Sequence, residues 1–191
     1  MKLAKKIVKK FLRFWQWLYV QIFGWIFYDK KYLRGKWFSD GIESLGWQWA
    51  ARDIHYRLHY WDHLNIKWPV SPYISTGTDV IFNPDDINNM QGYGNYFQTI
   101  NGKITIGKGT YIAINVGIIT TNHDFYNLDE HLPGKDVIIG KECWLGMNSV
   151  ILPGVTLGDR TIVGAGSIVT KSFPEGNCVI AGNPAKKIKD L

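Results

Sequence analysis

A mainly β fold built as a β-helix, headed by a helical segment, is what this sequence predicts, and three observations carry it. Ile139, Leu145, Ile151, Leu157, Val163 and Val169 recur every six residues without a slip. Four positions after each of the first five comes a small or short side chain: Cys143, Ser149, Val155, Thr161 and Ser167. Gly140, Gly146, Gly158 and Gly164 stand directly after four of the six aliphatics. A helix turning every 3.6 residues would swing such a series onto different faces. A period of six with glycine beside the aliphatic instead marks hexapeptides that are each one short strand plus a turn.

The elements follow in chain order. Residues 1–28 read as a basic amphipathic helix. On a wheel of about 100° per residue, Lys2, Lys5, Lys6, Lys9, Lys10, Arg13 and Gln16 share one side, while Leu3, Ile7, Phe11, Phe14, Trp15, Leu18, Ile22 and Trp25 share much of the other. An aromatic apolar face opposite a row of cations is the pattern of a segment lying in a bilayer interface. The same face could instead pack on protein or on a neighbouring subunit. The greasy run from Trp17 is short for a span, and no small-x-small cleavage site follows it.

Residues 29–70 form a tryptophan-rich zone, since eight of the nine tryptophans precede position 70. Ile42 to Leu64 could hold a helix, with Trp47, Ala50, Ala51, Ile54 and Leu58 near helical spacing and Trp68-Pro69-Val70-Ser71-Pro72 ending it. This zone is expected to be a helical cap leading into the repeat, because exposed end coils carry unpaired strand edges. Residues 71–191 are assigned to the β-helix. The phase extends upstream through Ile100, Ile106, Ile112 and Ile118, with Thr110, Val116 and Asn122 at the small position. Ile118 to Ile139 is not a multiple of six, so a loop over 122–137 is inserted there, holding His123, Asp124 and a Pro133-Gly134 pair. Residues 174–191 form a tail.

Composition narrows the partners. Ten Lys or Arg against one Asp lie in residues 1–36, so a basic arm at +9 precedes a body at −3. That favours an anionic surface for the arm, and no nucleic-acid motif accompanies the charge. Two cysteines make no disulfide framework, and Cys143 falls on an inward position.

The run Ile139-Gly140-Lys-Glu-Cys-Trp144-Leu-Gly146, then Pro153-Gly154-Val, then Val163-Gly-Ala-Gly-Ser-Ile-Val-Thr170-Lys171, then Ala181-Gly-Asn-Pro184-Ala-Lys186 resembles the hexapeptide-repeat acyltransferases of the maltose and galactoside O-acetyltransferase type, including the capsule and exopolysaccharide branch. The resemblance covers about residues 92–191 and does not extend to 1–70. It implies a left-handed parallel β-helix of triangular section, a homotrimer, and transfer of acetyl from acetyl-CoA to an acceptor hydroxyl, here of a cell-surface polysaccharide or lipid-linked glycan at the inner membrane face. It implies no metal, and a single in-register histidine is too few for the zinc site of γ-type carbonic anhydrases. N-acetylation of an amino-sugar nucleotide, and a scaffold β-helix without catalysis, remain as alternatives.

The same resemblance assigns residues to roles. His123, in Asn122-His123-Asp124, is the general base, a task that neutral imidazole suits near neutrality. Asn95 holds the acceptor or the thioester carbonyl. Trp144 lies beside the pantetheine arm, and the backbone N–H of Gly146 or Met147 faces the developing oxyanion. Gly164 and Ala165 admit the pantetheine chain closely, Thr170 and Lys171 meet the nucleotide end, and Lys186 and Lys189 attract the 3′-phosphate. Asp124 and Glu142 are both candidates for orienting His123.

Overall fold

In a computed structural model of the chain the described residues are 2–191. Met1, at the head of the expected first helix, lies outside them, as do the side chains of Lys2 and Leu3. The chain divides into two compact units, Met1–Pro72 and Tyr73–Leu191.

The first unit is built on two helices, α1 (Lys2–Phe27) and α2 (Leu45–Tyr60). The expected helix from Ile42 to Leu64 is shorter at both ends. Gly41–Glu43 forms a 3₁₀ turn before it. At its other end Trp61 adopts φ 57°, and its N–H bonds back to the Arg57 carbonyl, closing the last turn. The helices pack through Val20 and Phe27 of α1 and Ala50, Ala51 and Ile54 of α2, joined by Tyr28, Phe23 and Trp47. Alanines at the contact let the α2 backbone approach the aromatic side chains of α1.

A buried charged hub holds the rest of this unit. Asp53 and Arg57, one turn apart on α2, are both fully buried and paired at 2.8 Å. Asp53 Oδ2 also accepts from the Tyr28 hydroxyl (2.9 Å) and the Val70 N–H (3.1 Å). Arg57 donates to the Ile66 and Trp68 carbonyls at 2.7 and 2.9 Å. A charge pair removed from water needs further hydrogen bonds, and here those on Asp53 Oδ2 and the Arg57 guanidinium stitch Tyr28, α2 and residues 66–70 together, while Asp53 Oδ1 has no hydrogen-bond partner among the described residues. Burial, then the Asp53 carboxylate, holds the Tyr28 hydroxyl well above its ordinary pKa.

The second unit is a left-handed parallel β-helix with three faces. Face one stacks β1 (Ser75–Thr76), β3 (Tyr96–Gln98), β6 (Gly117–Ile119), β9 (Val150–Ile151) and β12 (Ile168–Val169). Face two stacks β2 (Val80–Ile81), β4 (Ile104–Ile106), β7 (Val137–Ile139) and β10 (Thr156–Leu157). Face three stacks β5 (Tyr111–Ile112), β8 (Trp144–Leu145), β11 (Thr161–Val163), β13 (Cys178–Gly182) and β14 (Ala185–Asp190). All six aliphatics of the downstream series are buried, as are the five short residues between them. The glycines after the aliphatics have a steric cause. A Cβ on Gly140 would lie 2.6 Å from the Asp159 nitrogen, and one on Gly158 would lie 2.2 Å from the Pro174 carbonyl oxygen. Successive coils touch backbone to backbone at this edge, and no side chain fits between them.

Three expectations need correction. Ile100 is not in phase: it is 39% exposed, and Phe97, fully buried, takes the place beneath Ile118. Three extra residues in that coil, around the Ile100–Gly102 turn, move the phase. Asn122 is exposed rather than inward, because the chain has already left the coil after the buried Thr120 and Thr121. In the expected tail, β13 and β14 form an antiparallel pair, the one reversal among the described residues of the stack. The loop closes at residue 136, since Val137 already belongs to β7.

Candidate active site

The insertion leaves the coil at the edge between faces one and two. Ile118 and its stacked partner Ile151 are 33 residues apart, whereas Ile151 and Val169 are 18 apart, yet both pairs are in register. The excess forms a small hairpin of its own. His123 and His131 face each other as an antiparallel bridge, with Asp124 N–H to Glu130 O and Leu132 N–H to Asn122 O, both 2.9 Å. At its root the Thr121 hydroxyl donates to Leu132 O (2.6 Å), and Gln98 Oε1 accepts the Thr120 and Thr121 N–H groups at 3.2 and 3.1 Å.

His123 is exposed at this edge, and its ring is held on one side. Nδ1 lies 2.7 Å from the Leu128 carbonyl oxygen. A carbonyl only accepts, so Nδ1 carries the proton and Nε2 keeps its lone pair, the tautomer a general base needs. The His131 ring packs against it with centroids 4.4 Å apart. Neither carboxylate expected to orient it does so. Asp124 Oδ1 instead accepts the Tyr126 and Asn127 N–H groups at 2.7 and 3.3 Å and shapes the loop tip, and Glu142 lies at the edge between faces two and three. Sequence reasoning thus missed three contributors: the Leu128 carbonyl, which has no side-chain signature, His131, and Gln98 at the loop root.

The remaining site residues sort onto separate edges of the prism. Thr170 shares the His123 edge: it lines a groove of about 330 Å³ with Thr121, Asn122, Leu132, Lys135 and Pro153. Lys171 follows it, exposed, with its ammonium 5.7 Å from the Phe173 ring centroid. Gly146, Met147, Gly164 and Ala165 occupy the edge between faces three and one. There the Gly146 and Gly164 N–H groups are spent on the Val163 and Ile180 carbonyls, at 2.9 and 2.8 Å. Of the two amides expected at an oxyanion, only that of Met147 has no partner among the described residues. Trp144 stands on the outside of face three, 54% exposed, between Tyr111 and Ile162 on the neighbouring strands. Lys186 and Lys189 lie on β14 at the margin of the same face, both exposed.

Asn95 is placed differently from expectation. It is 2% exposed, and its Oδ1 accepts the Val116 N–H at 3.0 Å, so it fills an inward position and braces the coil. Its buried Nδ2 has no partner. Cys143 is also buried, and burial raises its thiol pKa, as suits a packing residue. No cluster of three metal-ligating side chains occurs among the described residues.

Residues 136–171 match the family model described as bacterial transferase hexapeptide (six repeats). The candidate colanic acid biosynthesis acetyltransferase WcaF of Escherichia coli (strain K12) is 40% identical over 89 residues, covering 47% of this chain and 48% of that protein. The galactoside O-acetyltransferase of the same organism is 38% identical over 104 residues, covering 52% and 51%. A solved galactoside acetyltransferase in complex with coenzyme A is 29% identical with a TM-score of 0.44, over 61% of this chain and 64% of that one. The chain spans about half the length of the curated relatives it matches.

Proposed function

We propose that this chain, similar over about half its length to hexapeptide-repeat acetyltransferases, transfers acetyl from acetyl-CoA to a sugar hydroxyl, with His123 as the general base. The observation that carries the reading is the bare Nε2 of an exposed imidazole whose Nδ1 proton is pinned on Leu128 O. An acceptor hydroxyl is a weak nucleophile until a base takes its proton as the new bond forms, a contribution of roughly 10²–10⁴-fold. In the proposed step the acceptor oxygen attacks the thioester carbonyl while its proton passes to Nε2. The carbonyl oxygen takes up negative charge toward the Met147 amide. The tetrahedral adduct then collapses with loss of the CoA sulfur, which takes the proton back from imidazolium. Acetyl ester, free CoA thiol and neutral His123 result.

The residues for this chemistry lie on different edges of one protomer, His123 and Thr170 on one, Met147 and Ala165 on another, Trp144 on a face between edges. A homotrimer supplies the remedy: the His123 edge of one copy lies against the Met147 edge and face three of the next, making a water-excluding cleft from exposed surfaces. Lys186 and Lys189 then serve the CoA phosphates of that shared cleft. The acceptor class proposed, a glycan of the cell-surface polysaccharide type, rests on the likeness to WcaF.

The test is mass spectrometry of a panel of oligosaccharides incubated with purified protein and acetyl-CoA. Ester products that vanish for His123→Ala, with CoA affinity retained, support the reading. Products on amines alone would replace it by N-acetylation. Absence of both product and CoA binding would leave a scaffold.

A further inference from the structure

The helical unit leaves one apolar face of α1 uncovered. Its buried side, Val20, Gly24 and Phe27, packs toward α2. Directly opposite, Ile7, Val8, Phe11, Phe14, Trp15, Ile22, Trp25 and Ile26 fall within an arc of about 120° when residues are placed about 100° apart. All eight are exposed, Phe11 at 60% and Trp25 at 71%. At about 1.5 Å per residue they make an apolar stripe roughly 28 Å long, well beyond the scattered apolar residues a soluble surface ordinarily shows. The expected choice between an interface anchor and a packing helix is therefore split by face: one side packs, and the other is free.

We propose that this stripe docks on an anionic lipid bilayer, with α1 lying in the interface rather than crossing it. Three features fix the occupant. First, no helix among the described residues is long and apolar enough to span a membrane. Second, Lys5 and Lys10 stand beside the two borders of the stripe, where their stems reach headgroup phosphates, and Lys6 and Lys9 add to the same positive end. Arg13 is not free for this purpose, because it pairs with Glu43. Third, phenylalanine and tryptophan make up half of the stripe, the side chains that favour the boundary between headgroups and acyl chains. A helix seam between two copies carries lysines at its margins when acidic residues face them, and α1 has no Asp or Glu to do so.

The experiment uses the full chain and two vesicle types, phosphatidylcholine alone and phosphatidylcholine with phosphatidylglycerol. Sedimentation should carry the protein down with the anionic vesicles and far less with the neutral ones. Combined Phe11→Ser, Trp15→Ser and Trp25→Ser should reduce the bound fraction at least tenfold at equal lipid. Lys5→Gln with Lys10→Gln should weaken binding to anionic vesicles selectively. None of these side chains belongs to the proposed acyl-transfer machinery, so turnover on a soluble acceptor should be unchanged, and vesicle binding is read without any turnover at all. Should the triple variant misfold, quenching of wild-type tryptophan fluorescence by brominated acyl chains reads the insertion directly, and no quenching overturns the proposal. Wild-type protein that ignores both vesicles also overturns it. So does a triple variant that binds as wild type, or one that instead breaks a larger oligomer of a protein indifferent to lipid.

Discussion

The two units of this chain reach order by opposite means. In residues 73–191 the stacked strands repeat one another: Ile112, Leu145 and Val163 stack on one face, and Ile106, Ile139 and Leu157 on another. In residues 1–72 nothing repeats, and one Asp53–Arg57 pair makes the side-chain bonds that hold the 66–70 segment against α2. Redundancy therefore protects the first kind of structure from local damage, while the second depends on one irreplaceable group. The insertion carrying His123 combines both, a unique device fixed to a redundant support.

Breaking that device should have the largest effect. His123→Ala is expected to lower turnover by about 10²–10⁴-fold, while calorimetry finds CoA affinity within a factor of about two, and stability stays as it was. Next comes the hub. Arg57→Ala leaves Asp53 charged, buried and short of partners, and should destabilise the helical unit by roughly 3–5 kcal/mol. Helical circular dichroism should then melt well before the β signal; a single joint transition would show that the units share their stability. In the repeat, Leu145→Ala should cost about 2–5 kcal/mol by the cavity it opens, measured by denaturant unfolding, with the stacked neighbours holding the remaining coils.

Two smaller effects sharpen the contrast. Gly158→Ala meets the Pro174 carbonyl oxygen, but Gly166→Ala meets nothing within 4 Å and suffers only from its φ of +70°. The second should cost about 1–2 kcal/mol and the first clearly more, read as a difference in denaturation midpoint. Finally, the raised Tyr28 pKa makes a pH signature. Below pH 10 the hydroxyl is protonated both folded and unfolded, so its contribution is whole. Above pH 10 the unfolded tyrosine ionises first, and stability falls as pH climbs toward the folded pKa. Tyr28→Phe should flatten that alkaline decline.

What the sequence discloses follows the same division. A hexapeptide register announces itself because each aliphatic must face the axis and each following glycine must let two coils touch, as Gly140 and Gly158 show. Phe97 escaped because three added residues displaced its coil, and periodicity is blind beyond an insertion. Within the loop, the string places His123 at the start of the insertion, but the ring's anchor is a main-chain oxygen at Leu128, to which no residue type is tied. His131 looked like an isolated histidine until the hairpin folded it against the first. Asn95 shows a bracing role that the string did not carry, since only the folded coil reveals its Oδ1 on the Val116 N–H. In the helical unit the amphipathic pattern of α1 was plain, while the Asp53–Arg57 pair looked like any surface pair four residues apart.

Consider last how the hairpin of residues 122–136 is mounted. The ladders on either side of it, Ile106 with Ile139 and Ile118 with Ile151, continue as though no chain had intervened. An excursion that starts and finishes at one vertex can lengthen, shorten or change its tip without asking the column to readjust. Phe125 and Tyr126, which crown that tip in full view of solvent, are thus free to vary independently of everything that keeps the molecule folded. Such a mounting makes the tip an exchangeable part, whose side chains can be replaced while the column beneath keeps its register.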